Sequence, residues 1–195
     1  MGIDPAPFFA NLYLYYYENK YITNLMHTNK FKALQFKNAM RFIDDEINLN
    51  DRGVFGESHA DIYPAELELK CEHQGHHATY LDLYISVEDG VFIYKLFDKR
   101  DNFPFFIVRM PDLTGNIPNH VFYGSVMSEF LRIARCSMRY EDFLIPSISL
   151  FRRMVNQGGR ENIRISQVQK AVRKYPSAFQ RYSVSDVQII RDVTK

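Results

Sequence analysis

The chain has no tryptophan and only two cysteines among its 195 residues. Cys71 and Cys136 lie far apart, with no neighbouring ligands at metal spacing. The reading they support is two reduced thiols in an intracellular protein rather than a disulfide framework. No apolar stretch approaches the roughly 18 residues needed to cross a bilayer, so no membrane partner is expected. Met1-Gly2-Ile3-Asp4-Pro5 lacks the basic and apolar regions of a secretory signal. Position 6 is Ala, without the Ser or Thr that a myristoylation signal at Gly2 carries there. Internal repeats and low-complexity segments are also missing.

Net charge is small as well, at +1, but its distribution is uneven. Residues 1–98 hold 8 Lys and Arg against 15 Asp and Glu, and residues 99–195 hold 16 against 8. An acidic part joined to a basic part suits cation binding at one end and a polyanion at the other. The plain alternative for the basic part is a solvated helical surface. What the chain has in abundance is aromatics, 16 Phe and 13 Tyr, whose main use is to bury area. With hydrophobic residues at 46% and charged residues at 24%, disorder along the whole length is excluded.

Pro5 and Pro7 precede an aromatic run, Phe8 to Glu18, in which Phe8, Leu12 and Tyr16 share one helical face. A helix from about Pro7 to Leu25 is expected. Being apolar nearly all round, it should be sandwiched between layers. Residues 40–51 alternate on either side of Asp44-Asp45, which reads as two short strands joined by a tight turn. A short helix is expected over 52–62, closed by Pro64, then strands over 66–72 and 79–87. Asp89-Gly90 supplies a type I′ turn into a partner strand, Val91 to Phe97. From about Asn119 the pattern is helical and Arg-rich, with breaks near Pro146, Gly158-Gly159 and Pro176. The fold class is therefore α+β: a mixed module over residues 1–118 and a helical module over 119–195.

Two adjacent carboxylates in a hairpin turn repel unless a divalent cation neutralises them. Mg²⁺ suits such a pair, because it takes one or two carboxylates and leaves positions for phosphate oxygens and water. An Asp-Asp pair alone is more often a capped, solvated turn. Its surroundings add to it. Gly2 through Leu12 resembles the Gly-x-x-x-Ser-Pro-x-x-Ala-Asn-Leu segment of reverse transcriptases, with Ala6 in place of Ser. Phe42-Ile43-Asp44-Asp45 resembles their aromatic-x-Asp-Asp hairpin. Thr79 to Leu83, the Gly90 turn and Lys95 to Asp101 are similar to later palm segments, including the primer-grip hairpin. The nearest likeness is to the Penelope-like retroelement group, over roughly residues 1–135.

The resemblance implies a partial polymerase palm followed by a thumb. Asp44 would be the principal Mg²⁺ ligand and Asp45 the weaker second carboxylate. Gly2, Pro7 and Asn11 would shape the nucleotide-contacting region for deoxynucleotides. Lys70 lies near the family's general acid, although a surface lysine is the commoner reading. Phe97 and Lys99 would belong to the primer grip. Arg132, Arg135 and Arg139, at spacings of three and four, would form a helical stripe on a primer–template duplex of RNA or DNA. Arg152, Arg153, Arg160, Arg164, Lys170, Arg173 and Lys174 would extend it, and a few rings such as Tyr140, Phe143, Tyr175 and Phe179 could stack on bases. The family places a further metal-binding Asp and its fingers upstream, whereas only 43 residues precede Asp44 here. The expectation is a fragment inactive on its own, or a non-catalytic nucleic-acid-binding module derived from such a polymerase. Cys71, His73, His76 and His77 cluster in one loop, but their spacing matches no common zinc site, which favours a solvated loop.

Overall fold

The computed structural model describes residues 5–49, 52–105, 107 and 110–195. It is a mixture of helices and small antiparallel sheets, consistent with the α+β class. Contacts divide the chain into two compact units, residues 1–75 and 76–195. This division falls well before the one expected at 118.

The first unit opens with α1 (Ala6–Thr28), with Pro7 in its first turn, where a missing N–H is tolerated. The Asn29 side chain accepts from the Lys32 N–H at 3.0 Å and starts α2 (Lys30–Gln35). Strands β1 (Ala39–Phe42) and β2 (Asp45–Asn48) pair antiparallel, and α3 (Val54–Ile62) follows. Leu25, Ala33, Phe36 and Ile62 form the small core, backed by Tyr21, Ile22 and Phe55. The expected burial of α1 on all sides is not realised. Phe8 is 65% exposed and Tyr16 59%, and Leu25 is the one buried residue of the helix. With apolar residues all round, a helix packed on one side leaves the rest of its rings in solvent.

The strand expected over 66–72 is absent: these residues take no strand conformation. Alternation makes a strand only where a neighbour accepts its backbone bonds, and here Leu67 N–H turns back to the Pro64 carbonyl at 2.9 Å.

The second unit begins with a three-stranded meander: β3 (His77–Tyr80), β4 (Leu83–Glu88) and β5 (Val91–Leu96). The segment expected as one strand over 79–87 is broken at Leu81-Asp82, where Leu81 takes φ 54°. The Asp89-Gly90 turn is as expected, both residues having positive φ, 50° and 78°. Four helices follow: α4 (Asn119–Arg135), α5 (Tyr140–Asn156), α6 (Glu161–Lys174) and α7 (Asp186–Thr194). Their amphipathic faces enclose Phe122, Phe130, Phe143, Phe151, Val168 and Ile189, each at most 1% exposed. Tyr182 closes one end of this core, its hydroxyl donating to the Ala134 carbonyl at 2.7 Å with the Ser137 carbonyl 3.1 Å away.

Pro146 does not break the chain as expected but sits inside α5. Its ring removes the N–H that would bond the Asp142 carbonyl, and the Ser137 hydroxyl donates to that carbonyl instead, at 3.2 Å. The apolar face of Phe143, Leu150, Phe151 and Met154 carries the helix through. The glycine pair does end it: Gly158, at φ 85°, closes the last turn, and its N–H donates to the Val155 carbonyl at 3.0 Å.

Candidate metal-binding hairpin and cationic surface

The β1–β2 hairpin sets the geometry of the carboxylates. Phe42 pairs with Asp45, so the turn residues are Ile43 and Asp44, one position earlier than expected. Asp44 stands at the tip and Asp45 opens β2, and both are exposed. Ile43 takes φ 57°, an uncommon conformation for a β-branched residue that must be held by its surroundings.

Arg41 does the holding. Its guanidinium forks onto Glu18 of α1, Nε to Oε1 at 2.6 Å and Nη2 to Oε2 at 3.3 Å. Nη1 donates to Asn11 Oδ1 at 2.7 Å and to the Ile43 carbonyl at 3.2 Å. Nη2 also reaches the Asn11 carbonyl at 3.3 Å. One planar cation thus ties the turn to two successive levels of the long helix. Asn11, expected to shape a nucleotide site, is engaged in this tie. Pro7 is exposed in the first turn of α1, and Gly2 lies outside the described residues.

Directly across from Arg41 stands Glu46. Tyr63 Oη lies 2.8 Å from Glu18 Oε1 and 3.1 Å from Glu46 Oε2. A phenol has one proton and cannot donate to both. The conflict is resolved if Glu46 keeps a proton and donates it to Tyr63. Burial pushes the Glu46 carboxyl up to about 7, with repulsion from Glu18 adding to the rise and the Tyr63 and Arg41 contacts opposing it. Burial, with Glu46 and Glu18 alongside, also pushes the Tyr63 phenol well above its ordinary value. Glu18, Arg41, Glu46 and Tyr63 did not emerge from the sequence reading. Their signal was there: one acid in an otherwise aromatic helix, and opposite charges flanking a turn at equal distance.

The oxygen donors of Asp44 and Asp45 fit Mg²⁺ in type and in number for a partly hydrated ion. Among the described residues no group of three His, Cys, Asp or Glu side chains is placed to hold a metal. That includes the loop with Cys71, His73, His76 and His77. Lys70 is exposed on a segment without strand structure.

In the second unit Phe97 is half-buried, its N–H bonded to the Asp82 carbonyl at 2.8 Å, and Lys99 is exposed at the start of a short 3-10 turn. The expected helical stripe is interrupted: α4 ends at Arg135, and Arg139 is the residue before α5. Arg132 is clamped by Glu129 at 2.9 and 3.0 Å and by Asp82 of the β3–β4 turn at 2.8 Å. Arg139 pairs with Glu88 at the end of β4, which holds that carboxylate below its usual range. Arg132 and Arg139 therefore fasten the meander to the helices. Arg135 is exposed, as are Arg152, Arg160, Lys170, Arg173 and Lys174. Phe143 and Phe179 are buried in the core and cannot stack on bases.

Among the described residues no helix is long and apolar enough to cross a membrane. Comparison with protein-family models, curated proteins and solved structures finds no match to this chain.

Proposed function

We propose that the chain is part of a reverse-transcriptase-like polymerase fold and that, alone, it binds nucleic acid without extending a primer. One observation carries the polymerase reading. The Asp44 carboxylate is lifted to the tip of a two-residue hairpin turn, with Asp45 beside it, and that turn is fastened to the aromatic helix by Arg41. Helix, turn and carboxylates in this order are what the reverse-transcriptase resemblance implies for a Mg²⁺ site facing a nucleotide. In the intact fold the ion would neutralise charge on the phosphates of a deoxynucleotide. Here Asp44 and Asp45 would orient that ion, while Arg41 would keep their turn from relaxing.

The absence of extension follows from ligand number. Two carboxylates with no third ligand group among the described residues make a weak site for an ion that demands near-octahedral geometry. Binding to a primer–template duplex would rest on Arg135 and the exposed cations of α6, since Arg139 is paired with Glu88 and Arg132 is largely buried between Glu129 and Asp82. The resemblance would put Lys70 near the leaving group and Phe97 and Lys99 near the primer end. A non-catalytic nucleic-acid-binding module is the second reading, favoured by the same incomplete ligand set.

Titration with Mn²⁺, a hard cation in place of Mg²⁺, separates the two readings. Selective paramagnetic broadening of the Asp44 and Asp45 amides is expected, weakened at least about tenfold in Asp44→Asn. Equal broadening in both proteins would remove the metal role and leave the second reading.

A further inference from the structure

The second unit holds a half-open cavity of about 480 Å³, lined by one face of α4, the end of α5, and Arg100, Ile107 and Met110. That volume lies in the range of small-ligand sites. Three guanidinium groups line it, Arg100, Arg132 and Arg153. The α4 face along the cavity carries small residues, Gly124, Ser125 and Ser128, before Glu129 and Arg132, and a Cβ added at Gly124 would meet nothing within 4 Å. A cavity in a helical core is ordinarily lined by aliphatic side chains, but this one is polar, with three guanidinium groups and the Glu129 carboxylate in its wall.

Two features point to a ligand. First, the arginines are held in place beforehand. Arg100 is fixed by Asp98, with Nε at 2.7 Å, and Arg132 by Glu129 and Asp82. Three of the five Arg132 donors are used in this way, which leaves the others for an anion at low entropic cost. Second, Gln157 borders the cavity and its Nε2 donates to the Met110 carbonyl at 3.1 Å, which fixes the orientation of the amide. Its Oε1 is buried and accepts no hydrogen bond from any described residue. A buried acceptor left without a donor costs about 1–3 kcal/mol, so a donor from outside would be favoured.

We infer that this cavity binds a small phosphate ester whose sugar carries free hydroxyls. The phosphate would accept from the two Arg132 donors that Glu129 and Asp82 leave unused, in a fork geometry that suits it, and a hydroxyl would donate to Gln157 Oε1. The ligand could be a free nucleotide or a nucleotide at the end of a nucleic-acid strand, since both present the same chemistry. No residue of the Asp44 turn lines the cavity, and the inference does not depend on that turn.

The test is calorimetric titration of the full chain with adenosine 5′-monophosphate, with adenosine, and with a short single-stranded oligonucleotide bearing a 5′-phosphate. Saturable binding of the monophosphate is expected, lost without the phosphate and weakened by salt. Gly124→Leu fills the cavity and improves helix propensity, so it should keep the fold and weaken binding more than about tenfold. Gln157→Leu removes the orphan acceptor and should cost about three- to tenfold in affinity. Binding of the oligonucleotide alone, abolished in Gly124→Leu, would identify the strand end as the source. No binding by either phosphate ester, or unchanged binding in a folded Gly124→Leu, would overturn the proposal. Asp44→Asn should leave this binding as it is, so the result stands apart from the metal reading.

Discussion

Residues 1–75 and 76–195 use similar side chains to opposite effect. Both are rich in Phe and Tyr, yet the first unit buries Leu25, Ala33, Phe36 and Ile62 while leaving most of the α1 rings in solvent. In the second, Phe122, Phe130, Phe143 and Phe151 are sealed within four amphipathic helices. The difference is one of pattern, not amount. A helix with apolar residues all round needs neighbours on every side, whereas helices with one apolar face can satisfy each other. The units differ in charge too, 11 acids against 7 bases up to residue 75 and 12 against 17 beyond it. The acidic unit sets a half-buried cluster of Glu18, Arg41, Glu46 and Tyr63 beneath exposed Asp44 and Asp45, and the basic unit spreads its cations between fasteners and open surface.

The sharpest way to break this comparison is to truncate one ring in each unit. Phe130→Ala should cost about 3–5 kcal/mol, as expected for a large side chain removed from a sealed core. It would be measured by denaturant unfolding with hydrogen exchange of the α4 amides. Phe8→Ser should leave stability unchanged and improve solubility, because Phe8 is 65% exposed. Equal losses would show that α1 is covered after all.

A smaller effect is expected at the cluster that ties the hairpin to α1. Arg41→Met should cost about 2–3 kcal/mol, since it leaves the Glu18 carboxylate half-buried without its cation. Amide exchange should rise selectively in β1 and β2. Uniform exchange across the first unit would mean that Arg41 supports the unit generally rather than the turn.

The smallest effect is one of pH. The Glu46 carboxyl is raised in the folded state to about 7, so folding favours its protonated form. Its contribution is therefore full at pH values below the ordinary carboxylate range and is lost as pH rises through about 7. Glu46→Gln should flatten that decline and be more stable than the parent at pH 8 by about 1–2 kcal/mol, allowing for partial solvent contact. Parallel pH profiles for the two proteins would remove Glu46 as the responsible group.

Local elements were legible wherever the signal was local. Both tight hairpins, the helix that starts at the prolines and the stop at Gly158-Gly159 follow from turn chemistry and periodicity. Features that depend on distant partners were not. Residues 66–72 alternate but find no partner strand, and Pro146 is accommodated because Ser137 takes up the carbonyl it frees. Arg132 and Arg139 share a helical spacing, yet the helix ends between them and each meets a carboxylate from the meander. In the candidate site, Asp44 and Asp45 were visible as a pair at a turn, though the turn itself is Ile43-Asp44, and the residues that hold it were not visible.

The sequence by itself determined which short segments turn, which coil, and where the acids and bases lie, because these depend on neighbours a few positions apart. Only the tertiary structure decided which charges are neutralised, which aromatics are sealed, and that Arg41 reaches across 23 positions to Glu18. Ion pairs and packing depend on distances in space, and those are set only when separate elements come together.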